Sequence, residues 1–238
     1  MNPFERTESL IGAEGLQKLQ GARVILFGVG GVGSWCAEAL VRSGVGHLTL
    51  VDSDCVEPSN LNRQLMSTSQ NIGRPKVEVM KERLLSIVPE TEITALQRRY
   101  HAGEDFGLGS YDAIIDAIDS LSDKAALILE GTAAGGRFYS SMGAARKIDP
   151  TRVRVAEFWE VRGCPLGAAL RKKMRKAGTL PSKPFLCVYD DEVLGAEKGT
   201  LAHITGIFGL TLAGLVLEDL LSGKPDKCPS ADNLPTQP

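Results

Sequence analysis

The fold follows from one stretch of the chain, Val24-Ile25-Leu26-Phe27-Gly28-Val29-Gly30-Gly31-Val32-Gly33-Ser34-Trp35. The apolar residues 24–27 predict a buried parallel strand, and the amphipathic segment 32–43 predicts a helix directly after the glycines. A second apolar run, 47–51, ends on Asp52. Strand, glycine turn, helix, strand and acid in this order are the fingerprint of a nucleotide-binding βαβ unit.

Three of the glycines have separate predicted tasks. Gly28 permits the tight turn, Gly30 lets the backbone approach a phosphate, and Gly33 lets the helix lie close to the strand. The free N–H groups and the dipole at the start of the helix attract the anion. The carboxylate of Asp52, roughly twenty residues further on, is expected to accept a hydrogen bond from a ribose hydroxyl. The pattern predicts a nucleotide site without specifying the nucleotide.

Length and composition limit the remaining possibilities. A chain of 238 residues suits one large domain, or one and a half, with a sizeable core. Because the net charge is −2, any contact with nucleic acid must be local. The five cysteines include no C-x-x-C pair, which argues against a paired-cysteine zinc site and against a disulfide scaffold. This cysteine usage favours a reducing cytoplasm, and the polar residues 1–9 do not resemble a signal peptide.

Beyond the first βαβ unit, strands and helices continue to alternate. Further strands are predicted at 92–96, 111–118, 137–142, 153–158 and 183–189, and helices at 4–19, 76–87, 122–134 and 200–221. This order predicts an α/β fold, a Rossmann-like doubly wound and mainly parallel sheet extended by antiparallel C-terminal strands and a closing apolar helix. The last helix approaches the length of a membrane span, but its polar residues favour a buried helix and no stable membrane insertion.

Two features locate the expected site. Ligands of such sheets bind beyond the carboxyl ends of the strands, so Asp52 and Asp119, which both follow predicted strands, should face one crevice. The polar segment 55–76 is too long for an ordinary connection between a strand and a helix. Long polar loops at such a position usually carry function.

Five motifs occur in order along the chain. They are Gly28-x-Gly30-Gly31-x-Gly33, Asp52-x-Asp54, Asn60-x-x-Arg63-Gln64, Gly73-x-Pro75-Lys76 and Asp116-x-x-Asp119. Together they resemble the adenylating domain of the ubiquitin-activating-enzyme superfamily over residues 4–148. The resemblance implies activation of a carboxylate by ATP with Mg²⁺.

The resemblance also implies roles for individual residues. The implied nucleotide-binding residues are Gly28, Gly30, Gly31, Gly33, Asp52, Asp54, Asn60, Arg63, Gln64 and Lys76. The implied catalytic residues are Arg63, Lys76, Asp119 and Arg6. Asp119 would position the magnesium, and Arg6 would enter the partner's site in a homodimer. Independently of the resemblance, cations are the groups that neutralise charge developing on phosphate oxygens.

Within the superfamily, the chain resembles the tRNA threonylcarbamoyladenosine dehydratases. The shared segments are 6–12, 32–35, 147–151, 170–176 and 205–209. This resemblance implies a tRNA substrate that carries threonylcarbamoyladenosine beside the anticodon. ATP would activate its carboxylate, which then closes into a ring with net loss of water. The enzyme would be a cytoplasmic ligase or cyclase. The resemblance leaves open whether AMP or ADP is released and whether a sulfur-transfer or electron-transfer protein assists.

The expected domain organisation follows from this resemblance. One adenylating domain would span residues 1–221, with a nucleotide-binding part at about 20–148 and a part contacting tRNA and the dimer partner at about 149–221. The basic run 171–176, with Arg146, Lys147, Arg152 and Arg154, would contact phosphates. Residues 222–238, which are polar and rich in proline, would form a disordered tail.

Two alternative functions and one residue stay open. The chain could instead activate a small sulfur-carrier protein, although the paired zinc cysteines of those enzymes are absent, or it could bind nucleotide without catalysis. The joint presence of Arg63, Lys76 and Asp119 counts against a purely binding role. Cys187 could form a thioester or simply fill the core. The acidic residues 190–191 nearby would raise a thiol pKa, which favours the core.

Overall fold

The computed structural model describes residues 2–197 and 199–223. The strands in this part of the chain are β1 (Arg23–Phe27), β2 (His47–Val51), β3 (Glu92–Leu96), β4 (Ala113–Asp116), β5 (Arg137–Ser141), β6 (Arg154–Glu157) and β7 (Leu186–Tyr189). The α-helices are α1 (Glu5–Gly21), α2 (Gly33–Ser43), α3 (Lys76–Ile87), α4 (Leu121–Ala133), α5 (Pro165–Ala177) and α6 (Ala202–Ser222).

The described strands form one sheet in the order β3-β2-β1-β4-β5-β7-β6. Neighbouring strands are parallel except at the C-terminal edge, where β6 runs antiparallel to β7. The order of the first five strands is that of doubly wound nucleotide-binding sheets. The predicted Rossmann-like, mainly parallel fold is therefore confirmed, with β7 extending the parallel part and β6 adding the antiparallel edge.

Helices cover both faces of the sheet, as a parallel sheet requires. On one face α2, α3 and α6 contribute Leu40, Met80 and Phe208 to the core, and all three side chains are fully buried. On the other face α4 and α5 contribute Leu127 and Leu170. Burial on both sides explains why the strands at the centre of the sheet are continuous apolar runs rather than alternating ones.

Several element boundaries differ from the sequence prediction for local reasons. Helix α1 is kinked at Gly12, whose φ of 74° is left-handed. Strand β4 is shorter than predicted because the chain leaves the sheet after Asp116 and turns across Gly28. Strand β7 begins only after Pro184, which has no backbone N–H to donate.

The apolar helix α6 is a core helix in this fold. It has the length and hydropathy of a membrane span, but half of its most apolar stretch is buried inside the protein. Ile204, Phe208, Leu212 and Val216 are fully buried, and the helix packs chiefly on α2. The predicted disordered tail lies outside the described residues from residue 224 onward, and Ser222 is the last residue of α6.

Candidate active site

A cavity of about 1240 Å³ opens beyond the carboxyl ends of β1, β2, β4 and β5. It brings together most of the predicted site residues, which come from separate parts of the chain. The predicted residues that line it are Gly28, Gly30, Gly31, Asp52, Asp54, Asn60, Arg63, Gln64, Lys76 and Asp119. Gly33 and Arg6 do not line the cavity wall.

The glycine turn forms the floor of the cavity. Gly28 has a φ of 89°, and a Cβ there would lie 2.6 Å from the carbonyl oxygen of Ala117. A Cβ at Gly33 would lie 1.8 Å from the carbonyl oxygen of Gly28, so this glycine lets α2 lie against β1. At Gly30 a Cβ would meet only the Gln64 amide nitrogen, at 3.9 Å. The backbone at Gly30 is therefore open to a ligand, as a phosphate cradle requires.

Asp52 is oriented by two backbone N–H groups. Its Oδ2 accepts from the N–H of Val29 at 2.7 Å, and its Oδ1 accepts from the N–H of Asp54 at 2.9 Å. Burial raises the pKa of Asp52, and the charge of Lys76 opposes this effect. Each carboxylate oxygen keeps a lone pair, so the fixed group can still accept from a hydroxyl.

Lys76 and Asp54 form an ion pair on the cavity wall. The Lys76 Nζ lies 2.8 Å from Asp54 Oδ2, and the side chain of Lys76 is only 7% exposed. The hydrogen bond from Lys76 lowers the pKa of Asp54. Because Lys76 is also the first residue of α3, its ammonium is held beside a helix N-terminus, where anions are favoured.

The predicted functional loop, 55–76, folds back onto the glycine turn. The indole N–H of Trp35 in α2 donates to the carbonyl of Arg63 at 3.2 Å. The Arg63 guanidinium donates to the carbonyl of Ser59 at 2.8 Å. Asn60 is buried, and its side-chain oxygen accepts from the N–H of Glu57 at 3.0 Å. The loop thus places a guanidinium and an amide beside the start of α2.

Gln64, which lines the cavity, has a side-chain oxygen without a hydrogen-bond partner among the described residues. Its side chain is buried, and the oxygen concerned is Oε1. A buried polar atom without a partner costs about 1–3 kcal/mol. The backbone at Gly30 is open to a ligand, cations line the cavity nearby, and Oε1 of Gln64 lacks a partner in the described part of the chain. These features together fit a nucleotide with its phosphates.

Asp119 follows β4 and is exposed on the cavity wall. The described residues contain no cluster of three or more His, Cys, Asp or Glu side chains that could hold a metal ion. Mg²⁺ is commonly held by one or two carboxylates together with substrate phosphates. Asp119 fits that arrangement. The neighbouring Asp116 does not, because it is fully buried and bonded to Lys124 and Ser140.

Cys187 lies in the core and not at the cavity. Its side chain on β7 is 0% exposed, and burial raises its pKa well above the usual thiol value. A thiol in this state is a poor nucleophile. The structure therefore favours the packing interpretation of Cys187.

The expected phosphate-contacting surface is smaller than predicted. The prediction is wrong for Lys147, which is 3% exposed and donates to the carbonyls of Asp190 and Glu192. Arg152 and Arg154 both pair with Asp191, at 2.8 and 3.2 Å, which reduces their free positive charge. Arg146 donates to the carbonyls of Leu194 and Gly195. The members of the predicted set that are exposed and lie on α5 are Lys172, Lys173, Arg175 and Lys176.

Sequence reasoning missed part of the cavity wall. Arg98, Arg99 and Tyr100 follow β3, and the segment 141–145 ends β5 and follows it. The first turn of α5 contributes Pro165 and Leu166. The rule that located Asp52 and Asp119, that ligands bind beyond strand ends, would have found the residues after β3 and β5.

Comparison with known proteins identifies the family. The ThiF family matches residues 4–231. A protein of Bacillus subtilis named tRNA threonylcarbamoyladenosine dehydratase is 37% identical over 247 residues, which cover 93% of this chain and 95% of that protein. A sulfur carrier protein adenylyltransferase of Thermus thermophilus is 30% identical over 224 residues, with 90% of this chain and 75% of that protein covered.

Solved structures support the same assignment. The crystal structure of Escherichia coli tRNA N6-threonylcarbamoyladenosine dehydratase with AMP has a TM-score of 0.87 and 34% identity, covering 93% of this chain and 95% of that chain. The complex of that enzyme with ATP has a TM-score of 0.85 and 32% identity, covering 93% and 94%. Since the family match spans nearly the whole sequence and the fold agrees, the chain belongs to the ThiF family.

Proposed function

We propose that this chain uses ATP and Mg²⁺ to dehydrate threonylcarbamoyladenosine beside the anticodon of tRNA, by activating its carboxylate. The observation that carries the proposal is the single cavity that gathers Arg63, Lys76 and Asp119 around the glycine turn. The proposal is supported by the 37% identity to a tRNA threonylcarbamoyladenosine dehydratase over most of both chains.

ATP binds across the glycine turn in this proposal. Asp52 accepts from the ribose, and the phosphates lie against Gly30 and the start of α2. The cavity volume of about 1240 Å³ exceeds the upper end, about 1000 Å³, of ordinary small-molecule pockets. Segment 141–147 and the first turn of α5 line the same cavity, and the modified nucleoside would enter beside them.

Activation joins a carboxylate oxygen of the threonylcarbamoyl group to a phosphorus atom of ATP, and the bond from that phosphorus to its leaving group breaks, which releases pyrophosphate from the α-position or ADP from the γ-position. Negative charge then grows on the phosphate oxygens, and Arg63 and Lys76, which both line the cavity, neutralise it. Asp119 would hold magnesium, which when bound would supply further charge neutralisation. A nucleophilic atom of the same threonylcarbamoyl group then attacks the activated carboxyl carbon. The phosphate group departs with the former carboxylate oxygen and the attacking atom releases its proton, so the nucleoside loses one water overall.

The tRNA is proposed to lie on the basic face of α5. The first turn of this helix lines the cavity, while Lys172, Lys173 and Lys176 are exposed further along it. A phosphate backbone that follows these cations would deliver the modified nucleoside to the cavity mouth. The dehydration needs no sulfur-transfer or electron-transfer protein for its atoms to balance. The involvement of such a partner stays a prediction.

The active unit is proposed to be a cytoplasmic homodimer in which Arg6 completes the site of the partner. In its own chain, Arg6 is exposed on the first segment of α1 and does not line the cavity. The kink at Gly12 separates that segment from the part of α1 in which Leu16 and Leu19 are buried. An arginine so placed is available to a neighbouring subunit.

Purified protein, ATP, Mg²⁺ and tRNA carrying threonylcarbamoyladenosine test the proposal directly. Mass spectrometry of the digested tRNA should detect a nucleoside that is lighter by one water, formed only with ATP. Release of AMP or ADP should match product formation one to one. If the nucleoside stays unchanged while ATP is consumed, the proposal fails.

Activation of a sulfur-carrier protein is the second candidate, favoured by the identity to the Thermus thermophilus adenylyltransferase. The same assay with a small ubiquitin-like carrier protein in place of tRNA separates the two. Formation of a carrier acyl-adenylate without any change in tRNA would support the second candidate over the first.

A further inference from the structure

A buried ion pair lies directly behind the segment that carries Asp119. Lys124 Nζ is 2.8 Å from Asp116 Oδ2, and both side chains are 0% exposed. Asp116 is the last residue of β4, and Lys124 lies near the start of α4. The chain segment between the two residues therefore contains the short turn that joins β4 to α4.

The pair holds Ile118, a residue of that turn, through both its carbonyl and its N–H. Lys124 Nζ donates to the carbonyl of Ile118 at 2.9 Å, and the N–H of Ile118 donates to Asp116 Oδ1 at 3.1 Å. Ser140 in β5 donates its hydroxyl to Asp116 Oδ2 at 2.7 Å. Ile118 immediately precedes Asp119, so the bond to its carbonyl holds the peptide that joins the two residues, and the bond from its N–H holds the peptide before that one.

The same turn is locked to the glycine turn. The N–H of Ala117 donates to the carbonyl of Phe27 at 2.8 Å, and its carbonyl lies against the open side of Gly28. The position of Asp119 relative to the phosphate cradle therefore depends on residues 116–118, which the buried pair holds.

Stability alone gives a weak reason for this arrangement. Replacing a buried ion pair with apolar side chains is often neutral or stabilising. A lysine in the first turn of a helix also opposes the helix dipole. The geometry points instead to a positional purpose, because the hydrogen bonds of Lys124 Nζ and of the Asp116 carboxylate go to the turn, to the pair itself and to Ser140.

We propose that Lys124, together with Asp116, is a positioning residue that sets Asp119 at the distance from the phosphate cradle that a magnesium–nucleotide complex needs. This inference rests on the proposed function, since it assumes that Asp119 meets the metal. Groups that orient a metal ligand typically change metal affinity by about 10–100-fold when they are removed.

The test is calorimetric titration of ATP into the full chain, with Mg²⁺ and separately with EDTA. For Lys124→Met we expect the Mg²⁺-dependent gain in ATP affinity to fall by about 10–100-fold, with affinity in EDTA unchanged. Adding Asp119→Asn to Lys124→Met should cause little further loss, because the two changes act through one ligand. Because Lys124→Met leaves Asp116 buried and unpaired, the double variant Asp116→Asn/Lys124→Met repeats the test without a lone charge.

Tyr139→Phe is the matched structural control. The Tyr139 hydroxyl donates to Asp219 at 2.5 Å in a buried contact with α6, away from the Asp119 turn. This variant should lower the melting temperature but keep the Mg²⁺-dependent gain. The inference is overturned if Asp116→Asn/Lys124→Met keeps the wild-type gain, or if Tyr139→Phe loses it equally. If ATP affinity of the wild-type chain does not respond to Mg²⁺ at all, the proposed function fails and this inference fails with it.

Discussion

The Nζ of Lys76 lies 2.8 Å from Oδ2 of Asp54, although 22 positions separate the two residues in the sequence. This contact closes the polar segment between β2 and α3 into a loop that returns to the end of β2. As a result the cation of the pair is held at the cavity wall with 7% exposure, beside the glycine turn. The pair therefore fixes the position of the Lys76 ammonium, which is the predicted phosphate contact.

Lys76→Ala should lower turnover by about 10²–10³-fold, because one preorganised group that stabilises transition-state charge is removed. ATP affinity should fall by a smaller factor, since the glycine turn and Asp52 stay in place. Steady-state rates and calorimetric ATP binding measure the two effects.

Lys183→Ala is the matched control for that change. Lys183 donates to the carbonyls of Ala134 and Gly136, which directly precede β5. It therefore lies at the N-terminal ends of the strands, opposite the cavity. Its removal should leave turnover nearly unchanged. Equal effects of the two substitutions would contradict a role for Lys76 at the phosphates.

Cys187→Ala should keep most of the activity. Removing one buried sulfur atom costs about 1 kcal/mol of stability and leaves the cavity wall untouched. Burial also raises the thiol pKa, so Cys187 should resist alkylation near neutral pH while the half-buried Cys55 reacts. Rates, melting temperatures and peptide mass spectrometry after alkylation test this. A large loss of turnover, with a trapped thioester in the wild-type chain, would restore the nucleophile interpretation.

Changing Lys172, Lys173 and Lys176 to Gln should weaken tRNA binding and reduce its salt dependence. The slope of log affinity against log salt should fall by about one for each cation that no longer meets a phosphate, while ATP affinity stays the same. Arg152→Gln is the control, because its guanidinium is already paired with Asp191 at 2.8 Å. If the lysine substitutions leave tRNA binding intact and abolish binding of a sulfur-carrier protein, the second candidate function is correct.

A mixed dimer tests the exchange of Arg6. Arg6→Ala and Asp119→Ala should each be nearly inactive alone. In a mixed dimer, the subunit with Arg6→Ala keeps Asp119 and receives Arg6 from its partner, so one site is complete. Random mixing makes about half of the dimers mixed, and activity should recover to roughly a quarter of wild type. Co-expressed and verified mixed dimers without any recovery would place Arg6 in its own subunit's site or outside catalysis.

The sequence predicted most of the sheet because buried parallel strands leave a strong signal. Run 24–27 is apolar throughout and run 47–51 is largely apolar, and they end at glycine and aspartate. Their positions and the placement of Asp52 and Asp119 at one crevice could therefore be inferred. Charge patterns were less informative. Lys147 belongs to a basic segment, but its ammonium is turned inward onto two carbonyls, and no local pattern predicts such a long-range contact.

The Lys124–Asp116 pair was also beyond local prediction. Lys124 has the sequence context of an ordinary solvent-facing residue in the first turn of a helix, and its complete burial depends on how β4, β5 and α4 meet. The kink at Gly12, in contrast, was foreseeable in principle, because glycine is the residue that most readily adopts a positive φ.

The most direct test of the central claim is mass spectrometry of tRNA nucleosides from cells that lack this protein. We expect the cyclic, dehydrated form of threonylcarbamoyladenosine to disappear and the open form to accumulate. Wild-type protein should restore the cyclic form, and Lys76→Ala should not. Unchanged levels of the cyclic nucleoside in the deletion cells, with no second enzyme that makes it, would contradict the account.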